Sequence, residues 1–281
     1  MKTKLIFTLA ALTVSIIPAQ AANVIWNSST INGLWSDNAN WQGDSMPASG
    51  DTAVFTADTP AGLVKAANQT SGGGYTASGI EFQSGGWELR AFFMYTGTIN
   101  NTGNNTIHII STPITVVANW NIAAGSELTI QGATRSDTHY SINIGHNTAA
   151  TLNVNGGGTL ILNDGIFGQI AASNLVLKDS IDLVINKEQI FNVANDKLSG
   201  IYAFYTIGSA AATLSIKTTN TALLDEYVVG NYIRNTTGEE FVWTQYGDYY
   251  TYALQIPEPS TFVLLSISAM ALTVAFLRRR G

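Results

Sequence analysis

This 281-residue sequence contains no cysteine and three histidines. The type and spacing of the histidines raise the possibility of a metal site. Asp137 and His139 alternate along one predicted strand and His146 follows seven residues later, so the three side chains could supply ligands to one ion. Small polar residues share that alternating face, however, and no pattern of hydrogen-bonding partners for the imidazoles accompanies them. His108 stands apart from this group. We therefore expect no metal site and no cofactor.

Aspartates in the middle of the chain are the second candidates for chemistry. Asp164, Asp179 and Asp182 are close in sequence, and Lys178 adjoins them. Paired carboxylates with a nearby base suit hydrolysis or elimination on a polysaccharide. Each aspartate also stands where a strand would end, and aspartate is a common turn residue. We expect these residues to close turns and the protein not to be an enzyme; a surface polysaccharide lyase or glycosidase that uses them is the alternative.

The elements that must position these residues are short strands. Apolar side chains recur two residues apart in segments of three to five residues, and Gly, Asn or Asp usually marks the segment ends. The pattern predicts an all-β fold with strands at 128–130, 141–144, 151–154, 159–162, 174–177, 181–185 and 213–216. A composition with only 11% charged residues suits stacked β-structure, in which polar side chains can form ladders.

The spacing of similar segments indicates a solenoid. Leu128 and Leu152 are twenty-four residues apart, and Leu152 and Leu175 are twenty-three apart, which is about one coil of a parallel β-helix. The fragments "GSELTIQG", "AATLNVNGGGTLILND" and "SNLVLKDS" are similar to one another. These spacings predict a β-solenoid body over 61–256; an antiparallel sandwich is the alternative.

A tryptophan-rich block, "WSDNANWQGDSMPASGDTAVF", precedes this body. Trp35 and Trp41 flank a polar turn, and a strand is predicted to begin at Ala53. The block resembles the opening segment of passenger regions with autotransporter-associated β-strand repeats, a resemblance that implies a right-handed parallel β-helix. We expect 22–60 to cap the open end of the solenoid, with the tryptophans packed against the terminal coil rather than stacked on carbohydrate.

The last part of the body is less regular. Residues 187–198, "KEQIFNVANDKL", could form one or two helical turns, whereas 223–229 and the run "FVWTQYGDYYTYALQI" have strand character. Tyr249, Tyr250 and Tyr252 lie where a C-terminal cap would need large amphipathic side chains.

The charge of the body limits its partners. Between Ala22 and Ile256 eight of the thirteen Lys and Arg remain, and eighteen of the nineteen Asp and Glu, which leaves a net charge near −10. An acidic body argues against nucleic acid and anionic membrane surfaces as partners. The absence of cysteine excludes disulfides and thiolate chemistry.

The N-terminus has the three parts of a secretory signal peptide. Lys2 and Lys4 precede an apolar stretch at 5–17, and Ala19 and Ala21 form an A-x-A cleavage site. We expect signal peptidase to remove 1–21. An uncleaved anchor is the alternative, although thirteen apolar residues are short for a spanning helix.

The C-terminus contains a second apolar run. Residues 261–277 carry no charge, and as a helix they would rise about 26 Å, close to the hydrocarbon thickness of a bilayer. Arg278, Arg279 and Arg280 follow at once and would stay on the cytoplasmic side. The pattern predicts a single transmembrane helix with the bulk of the chain outside.

Pro257, Glu258 and Pro259 stand directly before this run and hold an extended, non-helical stretch. The order Pro-Glu-Pro, apolar helix and arginine cluster resembles the PEP-CTERM sorting signal of Gram-negative bacteria and covers 257–281. The resemblance implies recognition by an exosortase, a membrane-embedded cysteine transpeptidase that would remove the helix and transfer the body to an acceptor. A plain C-terminal anchor is the alternative.

Together these features predict a non-enzymatic protein of the cell surface or extracellular matrix of a Gram-negative bacterium. Its expected partners are signal peptidase, an exosortase, an extracellular polysaccharide or surface acceptor and, through the C-terminal helix, at least transiently the inner membrane. No nucleic acid is expected to bind. A carbohydrate-binding adhesin that uses exposed Trp or Tyr is a further alternative.

Overall fold

A computed structural model describes twelve stretches of the chain: 21–28, 33–65, 74–90, 93–95, 97–108, 117–135, 138–140, 142–144, 150–163, 166–167, 173–186 and 203–255. Among the predicted signal residues, Ala21 lies in the first stretch, where it is exposed. The others lie outside the described residues: Ala19, Pro257, Glu258, Pro259, Arg278, Arg279 and Arg280. No helix in the described stretches is long and apolar enough to cross a bilayer.

Nine strands, all paired in parallel, form the first sheet (sheet 1). The strands of this sheet follow their order along the chain. After the second strand, at least one strand outside this sheet lies in sequence between each pair of neighbours. In spatial order the strands are β1 (Asn23–Ile25), β2 (Thr52–Phe55), β5 (Gly79–Phe82), β8 (Thr98–Asn101), β10 (Val117–Ile122), β15 (Thr151–Gly156), β18 (Ser173–Leu177), β20 (Ala203–Ile207) and β22 (Ile233–Asn235).

The second sheet (sheet 2) contains seven parallel strands followed by an antiparallel hairpin. Its spatial order is β3 (Leu63–Lys65), β6 (Glu88–Arg90), β9 (Asn104–His108), β11 (Glu127–Gln131), β16 (Thr159–Leu162), β19 (Asp182–Ile185), β21 (Thr213–Lys217), β24 (Tyr249–Leu254) and β23 (Phe241–Tyr246).

Shorter elements connect the two sheets. Two parallel pairs join β4 (Gly74–Thr76) to β7 (Phe93–Tyr95) and β14 (Ile142–Asn143) to β17 (Ile166–Phe167). One antiparallel pair joins β12 (Ala133–Arg135) to β13 (Thr138–Tyr140). A 3-10 turn, η1, spans Asn38–Asn40, and one α-helix, α1, spans Thr221–Val229.

The chain therefore winds as a parallel, solenoid-like all-β fold. In the clearest coil it runs from β15 in sheet 1 across a short bend into β16 in sheet 2, and it returns to sheet 1 as β18. Alternate side chains such as Leu152, Val154, Leu160 and Leu162 are fully buried and join one hydrophobic core with their counterparts in neighbouring coils. All seven short strands predicted from the sequence are confirmed, within one to two residues at their ends.

The predicted coil register is half right. Leu152 pairs with Leu175 in sheet 1, as the twenty-three-residue spacing predicted. Leu128 lies in sheet 2 and pairs with Leu160, so its predicted equivalence to Leu152 is wrong. Each coil contributes two strands with the same alternation of apolar and polar residues, and the spacing of leucines alone does not distinguish the two sheets.

The strand character predicted for 223–229 is also wrong, because these residues belong to α1. The Asn220 side-chain oxygen accepts a hydrogen bond from the backbone N–H of Leu223 at 3.3 Å and so caps the helix N-terminus. Leu224 and Tyr227, three residues apart on one helix face, are buried in the core. The helical turn predicted at 187–198 lies outside the described residues.

Aromatic side chains fill the core at the N-terminal end. Trp26 lies edge-on to Trp41 with ring centroids 4.9 Å apart, and Trp35 meets Trp41 at 4.7 Å. The Trp41 indole N–H donates to the Trp35 carbonyl at 2.7 Å. Trp35 and Trp41 are only 3% and 1% exposed, which leaves neither ring a face on which a sugar could stack. The boundaries 22–60 and 61–256 stay predictions.

At the C-terminal end the parallel run stops where β24 pairs with β21 in the antiparallel sense. Tyr252 is 8% exposed and packs between Phe241 and Trp243, with ring centroids 5.5 and 4.9 Å away. Burial raises the pKa of Tyr252 above its ordinary value. Together with α1, the hairpin covers apolar side chains of the last coils.

Candidate carbohydrate-binding surface

The histidines that could have bound a metal do not form a described site. Asp137 and His146 lie outside the described residues, and His139 lies on β13 in the only antiparallel pair of the connecting segments that the structure describes. Within the described stretches no three His, Cys, Asp or Glu side chains are close enough to hold a metal ion.

His108 instead belongs to an ion-pair cluster on the outer face of sheet 2. Its Nε2 lies 2.7 Å from Oε1 of Glu88, and a guanidinium nitrogen of Arg90 lies 2.6 Å from the same oxygen. Burial lowers the pKa of His108, although the Glu88 carboxylate opposes this shift. The sequence reasoning missed this cluster because Glu88 and His108 are twenty residues apart and meet only through the register of β6 and β9.

The two described aspartates of the suspected catalytic group have structural partners. Asp179 has a positive φ of 53°, and its Oδ2 accepts a hydrogen bond from the Gly156 backbone N–H at 3.0 Å. Asp182 accepts a hydrogen bond from the Thr213 hydroxyl of the next coil at 2.6 Å. Asp179 thus closes the turn before β19, as predicted, whereas Asp182 begins β19. Lys178 is exposed in the same turn, and Asp164 lies outside the described residues.

A different set of polar residues occupies the outer face of sheet 1. The outward residues of β8, β10 and β15 that pair in register form two adjacent columns across these three strands. Every side chain in the two columns is an uncharged hydroxyl or amide group. We call this surface the amide array; it consists of Thr98, Asn100, Asn119, Asn121, Asn153 and Asn155.

Side chains of the array are linked from coil to coil. The Asn121 amide donates to the Asn100 carbonyl oxygen at 2.7 Å, and the Asn155 amide donates to that of Asn121 at 3.1 Å. In the second column the Asn153 amide donates to the Asn119 oxygen at 3.1 Å. These ladder bonds fix the side-chain rotamers, so a ligand that binds them causes little additional loss of side-chain entropy.

The array still has hydrogen-bonding capacity that faces solvent. An asparagine amide has two N–H donors and two oxygen lone pairs, and the two ladder bonds of Asn121 use one of each. Asn119 and Asn121 are both exposed on the central strand. With strands about 4.8 Å apart and outward residues about 6.8 Å apart along a strand, the array is about 10 Å by 7 Å. Such a surface can exchange hydrogen bonds with sugar hydroxyl groups.

A second polar surface lies beside the C-terminal hairpin. Asn186, Lys217, Thr218, Thr219 and Asp248 line a shallow cleft of about 370 Å³. Its groups largely satisfy one another. The Tyr249 hydroxyl donates to the Asn186 oxygen at 2.6 Å. The Lys217 ammonium lies 3.8 Å from the Asp248 carboxylate.

The position of the amide array follows from strand alternation. In β10 the side chains of Ala118, Trp120 and Ile122 point into the core and are at most 2% exposed, so Asn119 and Asn121 must point outward. The "VANWNI" alternation was visible in the sequence, and polar ladders were expected from composition. The sequence did not predict the coil-to-coil register that places three such strands side by side.

Comparisons with protein-family models, with curated proteins and with solved structures return no match to this chain. The protein is therefore classified from its fold and its surface alone. It is a parallel β-solenoid-like protein with an uncharged amide ladder on one outer face.

Proposed function

We propose that this chain is a non-enzymatic, exported β-solenoid protein that associates with an uncharged extracellular polysaccharide through the amide array. The observation that carries the proposal is the array itself: six neighbouring hydroxyl and amide side chains, none of them ionisable. Ladder bonds join the five asparagines, of which Asn153 is buried and Asn119 and Asn121 are exposed. Sugar hydroxyls need matched donors and acceptors, and an uncharged polymer needs no charge partner.

The three strands of the array carry no charged side chain on their outer face, although Glu81 on the neighbouring strand β5 pairs with Asn100. This contrast with sheet 2 selects the array. The outer face of sheet 2 contains Glu88, Arg90, Glu127, Asp182 and Lys217. An uncharged polymer that covered those residues would strip water from charges without replacing it by ion pairs. Desolvating the array costs less, because each amide can form new hydrogen bonds with the ligand.

The localisation in this proposal is inferred from the two ends of the chain. A signal peptide at 1–21 would export the chain, and Pro257, Glu258 and Pro259 with the apolar run and Arg278–Arg280 would serve as a PEP-CTERM signal read by an exosortase. The transmembrane helix is then a temporary handle. The proposal includes a right-handed turn of the coils, as the resemblance of 35–55 to autotransporter-associated repeats implies.

Binding is tested by placing one charge in the centre of the array. Asn121→Asp is nearly isosteric and still accepts the Asn155 hydrogen bond, but it loses the donation to the Asn100 oxygen. Because residue 121 is exposed, the fold should tolerate this loss. We expect the affinity for uncharged glucans to fall about tenfold, because a desolvated carboxylate replaces two or more ligand hydrogen bonds. The matched control is Thr129→Asp, which lies on the strand after β10 but on the outer face of sheet 2. The assay is co-sedimentation with a panel of insoluble uncharged glucans, with an anionic uronan for comparison.

Each outcome of this experiment decides something. Weakening by Asn121→Asp alone supports the array, and weakening by Thr129→Asp alone moves the ligand to sheet 2. Affinity unchanged by either substitution refutes the use of the array. Turnover of any polysaccharide that is lost in Asp179→Asn, a substitution compatible with the positive φ of that residue, would replace the proposal by the enzymatic alternative.

Export and sorting are tested by the intact mass of the protein isolated from its host. We expect a body that begins at Ala22 and ends close to Pro257, and we expect changing Pro257 and Pro259 to alanine to leave the C-terminal segment attached. A membrane-bound species that still carries Arg278–Arg280 and is indifferent to the two prolines would make the protein an anchored ectodomain.

A further inference from the structure

Ala22 is held on both sides by the first rung of the solenoid. Its backbone N–H donates to Oδ1 of Asp51 at 2.9 Å, and its carbonyl oxygen accepts from the Thr52 backbone N–H at 2.8 Å. The next residue, Asn23, begins β1 in register with Thr52. The nitrogen of Ala22 is therefore fixed next to a carboxylate by two neighbouring contacts.

The Asp51 carboxylate is fixed from its other side as well. Oδ2 accepts a hydrogen bond from the Ala48 backbone N–H at 2.9 Å, and the Asp51 carbonyl oxygen accepts from the Ser78 backbone N–H at 2.7 Å. The hydrogen bond from Ala22, and then that from Ala48, lower the pKa of Asp51 below its ordinary value. The carboxylate is therefore ionised at neutral pH and aimed at the Ala22 nitrogen.

We infer that Asp51 is the acceptor for the new α-amino group that cleavage after Ala21 would create at Ala22. This inference rests on the proposed signal-peptide cleavage and names the residue that responds to it. Ala21 and Ala22 are both exposed, so the peptide bond between them lies at the surface. Hydrolysis of that bond leaves the Ala21 carboxylate on the leader and an ammonium group on Ala22.

Cleavage changes the chemistry of this contact without moving it. Before cleavage the Ala22 nitrogen is a neutral amide with one N–H group. Afterwards it is a cation with three, and hydrogen bonds between two charged partners are shorter and about twice as strong as neutral ones. Asp51 would thus hold the first strand of the mature body in place, and the precursor would have only the weaker contact.

The test uses the full chain through Gly281 in mild detergent, with the leader replaced by an engineered protease site whose cleavage leaves Ala22 as the first residue. Denaturation midpoints are measured before and after cleavage in the wild-type chain, in Asp51→Asn and in the control Asp58→Asn. Asp58 is an exposed aspartate after the next strand, so it controls for the loss of one negative charge. The pKa of the α-amino group is measured by NMR after ¹³C-dimethylation, which preserves its charge.

We expect cleavage to raise the folding equilibrium constant of the wild-type chain and of Asp58→Asn by about two- to fivefold, the range of exposed ion pairs. In Asp51→Asn cleavage should leave the folding equilibrium constant unchanged. Any general loss of stability cancels, because the uncleaved and the cleaved chain both carry the substitution. The α-amino pKa should lie above its usual value of about 7.7 to 8.0 in the wild-type chain and in Asp58→Asn, but not in Asp51→Asn. Stability gained from the ion pair is then lost as pH rises through this elevated pKa.

An α-amino pKa that is equal in the wild-type and Asp51→Asn chains, with midpoints that cleavage does not change, would overturn the inference. Should Asp51→Asn fail to fold, comparison of the α-amino pKa in the folded and the denatured wild-type chain decides the question. N-terminal sequencing of the host protein is a separate measurement: a start away from Ala22 would refute the proposed cleavage site and leave the result on the engineered chain intact.

Discussion

Shortening Leu160 to alanine tests the packing on which the whole fold depends. The Leu160 side chain is fully buried, and its register neighbours Leu128 and Leu183, one coil away on either side, are fully buried too. The substitution removes three carbon atoms, worth about 2.4 kcal/mol of transfer free energy at about 0.8 kcal/mol each. The cavity left between two coils adds to this, so we expect Leu160→Ala to lower the free energy of unfolding by about 3 to 5 kcal/mol.

The matched control is one residue further along the same strand. Ile161 points to the outer face of sheet 2 and is only partly buried. Because its side chain keeps contact with water, Ile161→Ala should cost less than about 1.5 kcal/mol, mostly through lost strand propensity and partial burial. Equilibrium urea denaturation followed by tryptophan fluorescence measures both values, and equal slopes of the unfolding transition show that the comparison is valid.

A reversed order of the two effects would refute the assigned register. A strand that slips by one residue exchanges its inward and outward faces. If Ile161→Ala were as costly as Leu160→Ala, β16 could not present the face that aligns Leu160 with Leu128 and Leu183.

Three other predictions concern the turns, the pairing and the titration of the solenoid. A Cβ atom at Gly156, where φ is +106°, would overlap the backbone of the preceding coil, so Gly156→Ala should lower the thermal midpoint by several degrees, whereas Gly50→Ala, with open space around it, should change it little. Thr129 and Ile161 lie in register on adjacent strands, so a Thr129→Cys, Ile161→Cys chain, which contains no other cysteine, should form an intramolecular disulfide under mild oxidation, detectable by mass. Burial lowers the pKa of His108, so the unfolded chain takes up its proton first and stability falls as pH drops below about 6.5. His108→Gln should reduce that slope in urea midpoints measured from pH 7.5 to 5.0; an unchanged slope would contradict the assignment.

Strand positions were predictable because the period of the side chains is local information. In 213–216 the apolar residues alternate with Thr and Ser over four positions, and in 128–130 Thr129 separates two apolar residues. Both segments lie in strands with the expected side buried. No tertiary knowledge is needed to read such a pattern, since one side of each strand must face the core.

Pairing partners were not predictable to the same degree. Loops between equivalent strands differ in length: Leu152 is thirty-four residues after its register partner Ala118, but only twenty-three before Leu175. An average spacing therefore aligned Leu128 with a residue of the other sheet. The segment 223–229 failed for another reason. Its β-branched and aromatic residues favour a strand, and the tertiary contacts of Leu224 and Tyr227 favour the helix.

The chemical candidates Asp179 and Asp182, which the structure describes, have structural partners, and the candidate surface came from residues with no chemical signature. An asparagine in isolation predicts a turn, and Asn121 became notable only when Asn100 and Asn155 were placed directly above and below it. Winding the chain into coils repeats whatever each strand presents, at the spacing of the strands. A repeated row of identical donors and acceptors matches a ligand that is itself a repeat, which is why a polymer of sugars suits this face better than a small molecule that would need an enclosing pocket.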